Sequence, residues 1–173
     1  MTTRHEIAPI WAGQTVAVIG NGPSLTDELL AEAKGHPCIA VNRAARRAPW
    51  ADMLVSIDGN WPDDCADFAG LRVVGVERDD LDALCVAMPY EAVTIAPGHV
   101  LHIRNNALSA IGIAAQAGAA EILLYGMDPA EYEALHDFQG FAKALRALRD
   151  ELQALGVTCW HVNPTAATKK TKK

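Results

Sequence analysis

Long apolar runs are missing from this chain. No stretch of about 18 consecutive apolar residues occurs, and the opening MTTRHEIAPIW has no apolar core of a secretory signal. The expectation is a protein without a membrane span, located in the cytoplasm. Cysteines are few and scattered: Cys38, Cys65, Cys85 and Cys159 form no CxxC pair and have no histidine at ligand spacing. That pattern argues against a zinc site and against a disulfide framework, and predicts reduced, mostly buried thiols with no metal held by the chain. Basic charge is also short. Of 15 Lys and Arg, four fall in the last five positions, KKTKK, which leaves 11 against 21 acidic residues in the other 168 and a charge of −10 there. Such a body is a poor footprint for a nucleic-acid backbone, so a nucleic-acid partner is expected only through the basic tail, if at all. Extended polar tracts are absent, which excludes wholesale disorder and a coiled coil.

What is present is a good supply of core. Half of the 173 residues are hydrophobic, enough for one domain of ordinary size. No repeat and no linker divides the chain, so residues 1–164 are expected to form a single Rossmann-like domain, and residues 165–173 a solvated basic tail. Short runs rich in β-branched residues alternate with polar turns and helix-like stretches, the signature of an α/β fold: a mostly parallel sheet of six to seven strands with helices on both faces. The runs are 15–19 (TVAVI), 38–41 (CIAV), 53–57 (MLVSI), 72–76, a weaker 92–95, 122–125 and 157–161. Helices are expected over about 25–34, with Ser24 or Thr26 as N-cap, over 108–118, and over 139–155. The second is almost wholly apolar and should be buried; the third is amphipathic and should lie outside.

This order places Asn21, Ser24, Asn42, Asp58 and Asp128 just past the carboxyl ends of four strands. In open parallel sheets ligands bind at that rim. GNGPS follows a strand and opens a helix, the context in which Gly20 and Gly22 permit a tight turn, Pro23 suits the first helical turn, and Asn21 and Ser24 supply hydrogen bonds. The turn is neither GxGxxG nor GxxxxGK[ST], which disfavours a dinucleotide fold and an ordinary P-loop. The nucleotide reading requires that residues 20–24 turn their amide hydrogens inward, toward an open crevice shared with Asn42 and Asp58. The bland alternative is a plain strand-to-helix turn.

The combination of GNGPSL, VNRA and NNALSAIGIAAQAGAAEILLYGMD resembles the sialyltransferase family that builds bacterial lipooligosaccharide, and equally the related MptE-like and Maf-type domains. The resemblance runs from about residue 16 to 164. It implies a CMP-sugar-like nucleotide-sugar donor contacting Asn21, Gly22, Ser24, Asn42 and Ser109, and a general-base histidine in the interval that holds His136. In the MptE-like branch it implies instead a pyrophosphoryl transfer from ATP to a hydroxymethylpterin, with a divalent metal. The chain departs from the sialyltransferases after Asp128: only seven residues separate it from His136, and Tyr132 is the one tyrosine among them. The longer lid of those enzymes is lacking. Either a neighbouring subunit of a homo-oligomer supplies it, or the donor is held differently, or transfer activity is gone.

Three chemistries follow. In a metal-independent glycosyl transfer His136 is the base, with Asp137 beside it, and Asn21, Ser24, Asn42, Asn106 and Ser109 hold the donor. In a pyrophosphokinase Asp58 and Asp128 hold Mg2+ against the phosphates. In the third the chain is a nucleotide-binding or assembly protein without catalysis. Each residue also has a structural reading: Asp58 and Asp128 as turn caps, Asn106 as the N-cap of the buried helix, His136 as a solvated helix-start residue. Arg43, Arg46 and Arg47 read as a solvated face or a phosphate attractor, and His99 and His102, lacking a third ligand, as ordinary polar residues. Trp11, Trp50 and Trp160 are expected to pack, with Trp61 the possible stacking group at the rim.

Overall fold

The computed structural model describes residues 7–57, 67–75, 84–85, 105–128 and 140–163. Seven strands form one sheet: β1 (Thr15–Ile19), β2 (Cys38–Val41), β3 (Met53–Ser56), β4 (Leu71–Val74), β5 (Leu84–Cys85), β6 (Glu121–Tyr125) and β7 (Thr158–His161). Every pairing is parallel, and the order across the sheet is β5-β4-β3-β2-β1-β6-β7. The α/β expectation thus holds. The fifth strand described is Leu84–Cys85, which the sequence reading did not mark; the expected run at 92–95 lies outside the described residues.

A parallel sheet covered on both sides needs strands that are apolar on both faces. In β1, Val16 and Val18 point into one core while Ala17 and Ile19 point into the other. The first face is covered by α2 (Asn106–Gln116) and α3 (Phe141–Ala154), the second by α1 (Asp27–Ala33) and a short 3-10 helix at Asn42–Arg46. Residues 106–114 of α2 are all buried, as its near-absence of polar side chains predicts. Helix α3 buries Phe141, Leu145, Leu148 and Leu152, one stripe at three-to-four spacing, and leaves its charges outside.

Helix ends follow local chemistry. The Thr26 hydroxyl accepts from the Leu29 amide and starts α1, so Thr26 and not Ser24 is its N-cap. The Asn105 side chain accepts from the Ala107 and Leu108 amides and starts α2, so the cap is Asn105 and not Asn106. Cys38 and Cys159 are free and buried, and burial pushes the Cys159 thiol up to about 12. Trp11 packs in the core, and Trp50 lies under the Lys34 ammonium, 5.8 Å from its ring centre. Trp160 is 52% exposed and does not pack as expected. No helix among the described residues is long and apolar enough to cross a membrane.

Candidate functional site

The chain runs outward from β1 through β5, then returns to lay β6 against the other side of β1. The strand order therefore reverses between β1 and β6, and the loops leaving these two strands turn to opposite faces. Crevices in open α/β sheets form at such a reversal. Here the two loops stay together beyond the sheet. The Gly20 amide donates to the Tyr125 carbonyl and the Gly22 amide to the Gly126 carbonyl, both at 2.8 Å. A Cβ on Gly20 would come within 2.6 Å of the Gly126 oxygen; one on Gly22 would come within 2.7 Å of that oxygen and 2.1 Å of Asp128 Oδ2. Glycine is required because another backbone approaches, before any ligand is considered.

Two more amides of this corner are also engaged. Ser24 N–H donates to Asp128 Oδ2 at 2.9 Å, and Leu25 N–H donates to the Gly22 carbonyl at 3.1 Å. The cradle of inward-facing amides expected over residues 20–24 is thus corrected at Gly20, Gly22 and Ser24: the first two donate to the carbonyls of the neighbouring loop, and the chain's own carboxylate sits on Ser24, where a phosphate was expected. Helix α1 adds no anion site either, since it has seven residues and carries Asp27 and Glu28 in its first turn. The Glu28 carboxyl is held below its ordinary value by hydrogen bonds from its backbone and from Thr26. Arg47 is tied to this same corner, donating to the Leu25 carbonyl at 2.7 Å and to Asp27 at 2.9 Å.

On the other side of β1 the rim carries polar groups from three further elements. Asn42, just past β2, is the one non-glycine residue in the left-handed region among those described, at φ +49°. That conformation costs an L-residue roughly 1 kcal/mol or more and is tolerated best by Asn and Asp. Ser56 ends β3, fully buried, and its hydroxyl finds no hydrogen-bond partner among the described residues. Next to it the Ile57 amide donates to Asn106 Oδ1 in a short hydrogen bond, which clamps the start of α2 to the end of β3. Asn105, Asn106 and Ser109 are all buried there. Asn106 and Ser109, expected as ligand contacts, are buried, whereas Asn21, Pro23, Ser24, Asn42 and Asp128 keep exposed area.

The structure thus brings the β1 turn, Asn42, Ser56, Asp128 and the start of α2 to one edge of the sheet. Asp58, His136, Tyr132, Trp61, His99 and His102 lie outside the described residues. Among those described, no group of three His, Cys, Asp or Glu side chains could hold a metal ion.

Beside Asp128 a cleft of about 290 Å3 opens between the ends of β6 and β7, with His161 and Asn163 on its far wall. His161 titrates below its ordinary value because of partial desolvation and the Arg149 cation, with Asp128 pulling the other way. Sequence reasoning passed over His161 and Ser56, because the rule that selected Asp128 took residues just past a strand end, whereas these two are the last residues of their strands. No protein-family model and no curated protein matches the chain.

Proposed function

We propose that this chain is a nucleotide-sugar-dependent glycosyltransferase whose donor lies along the carboxyl rim of the sheet, over Asn21, Asn42 and the clamped start of α2. The observation that supports the reading is the meeting there of polar groups from separate elements, including a left-handed Asn42 and the orphaned Ser56 hydroxyl. Strained and unsatisfied groups persist where function selects for them. Because Asp128 holds the Ser24 amide and brings negative charge to the turn, the donor's phosphates belong on the β2 and β3 side, held by side-chain amides. In the reaction an acceptor hydroxyl gives its proton to a base, its oxygen bonds to the anomeric carbon, and the nucleotide leaves with the electron pair. His136 is the base this reading assigns, on the strength of the sequence resemblance.

Asp128 also gives the pyrophosphokinase reading its one support, since a divalent cation would turn a phosphate-repelling corner into a phosphate-binding one. Only one of its two expected carboxylates is described, and one oxygen of that group is engaged by Ser24.

Calorimetry with CMP, UDP, GDP and ATP, with and without EDTA, tests these readings. The transferase predicts binding of one nucleotide that survives chelation. Binding of ATP that requires Mg2+ selects the kinase, and silence toward all four leaves a scaffold without nucleotide chemistry. Asn42→Gly sharpens the test, because glycine adopts the same backbone without strain. Its expected effect is a loss of about tenfold in nucleotide affinity, the worth of one hydrogen bond of roughly 1–1.5 kcal/mol, with the melting temperature held or slightly raised. Unchanged affinity would remove Asn42 from the site.

A further inference from the structure

We infer that the cleft between the ends of β6 and β7 is a binding site for a neutral, hydroxyl-rich ring, contacted by Asp128 and Ser24 on one wall and by His161 and Asn163 on the other. Its volume, about 290 Å3, is at the small end of ligand sites and suits a single ring. Leu124 and Met127 line it together with these polar groups, a combination that matches the C–H faces and hydroxyl edges of a sugar.

Charge decides which ring. An ionised carboxylate only accepts hydrogen bonds and has room for several donors, so Asp128, with one oxygen on Ser24 N–H, can receive hydroxyls and repels phosphate or carboxylate. Arg149, from α3, is a counterweight whose charge reaches His161. It lines the neighbouring cleft instead, a space of about 300 Å3 with Arg146, Thr158 and Trp160. Partial desolvation and the Arg149 cation, opposed by Asp128, hold the His161 imidazole toward its neutral form, able to donate to one hydroxyl and accept from another. The inference rests on the proposed transferase only for the ligand's place in the reaction: Ser24 lines this cleft from the turn whose other side meets the donor rim, so the ring would be the acceptor.

Nuclear magnetic resonance of the full chain tests it without any turnover, following the His161 ring signals, identified by their loss in His161→Gln. A monosaccharide and the ribose of a nucleoside share the required chemistry, so glucose and uridine are titrated separately, each against its charged counterpart, glucuronate and uridine monophosphate. The expected result is a saturable shift of the His161 signals at millimolar glucose or uridine, at least tenfold weaker for the charged counterpart. A shift from uridine alone assigns the cleft to a ribose, and one from glucose assigns it to a hexose. Asp128→Asn, which keeps an oxygen for Ser24 N–H, should narrow the gap between neutral and charged ligands. Silence of His161 toward both neutral ligands overturns the proposal, as does equal binding of the charged ones by the unmodified chain. Nucleotide calorimetry fails or succeeds independently: a sugar-induced shift without nucleotide binding keeps this site and removes the transferase, and the reverse removes only this site.

Discussion

Gly22 has space for a hydrogen and nothing larger, because the Gly126 carbonyl and the Asp128 carboxylate both lie where a Cβ would go. The carboxylate can rotate away, but the carbonyl belongs to a backbone fixed by β6. Gly22→Ala should therefore destabilise the fold by about 1–3 kcal/mol, the usual range for overpacking a tight site, read as a lower urea midpoint; an unchanged midpoint would show that the two loops are not held together in solution. At the cleft, His161 makes a prediction of the opposite kind. Its folded pKa lies below the ordinary 6.5, so on acidification the unfolded chain takes up a proton before the folded one does. Its contribution is full above about pH 6.5, falls as the pH drops from there toward the folded value, and levels off below it. Since the ring is exposed, the change is small, and it is isolated by comparison: His161→Gln should lose less stability than the unmodified chain between about pH 7.5 and about pH 5.5. An identical loss would mean that Arg149 and desolvation do not act on this ring.

At the scale of elements the chain is well labelled. Six of the seven described strands lie within two residues of the runs of β-branched residues read from the sequence, and β5 is the one that the reading did not mark. The amphipathic spacing of α3 and the apolar composition of α2 also give their burial in advance. Caps were harder to assign, because Asn105 and Asn106 are chemically alike and neighbours. What separates them is a tertiary contact: Asn106 reaches the Ile57 amide, which leaves Asn105 to serve the helix. Asn105→Ala should then cost about 1–2 kcal/mol, since it strips the cap from a buried helix start, and Asn105→Asp should recover most of it by keeping the acceptor oxygen. If alanine there were neutral in thermal unfolding, the cap would not be supporting α2.

The described residues form one sheet with two cores, one on each face of the strands. Leu29 sits in the core under α1, Ile111 in the core under α2. Ile111→Val should cost roughly 0.5–1.5 kcal/mol and Leu29→Ala roughly 2–5 kcal/mol. Their combination should add to within about 0.5 kcal/mol in a single unfolding transition, since the side chains share no partners but do share the sheet. Two separate transitions would show that the faces fold independently. What the sequence determined alone is the alternation of strands and helices, the two-sided apolar character of the sheet, and the location of Asn42 and Asp128 at strand ends, because side-chain periodicity and turn chemistry act over a few residues. Tertiary structure alone decided whether the glycine turn has amides to offer a ligand. That depends on β6 lying against β1 and on Asp128 reaching Ser24 across 104 residues of chain, a pairing that no local pattern encodes. A carboxylate arriving from so far away takes the Ser24 hydrogen bond that the turn, read by itself, holds open.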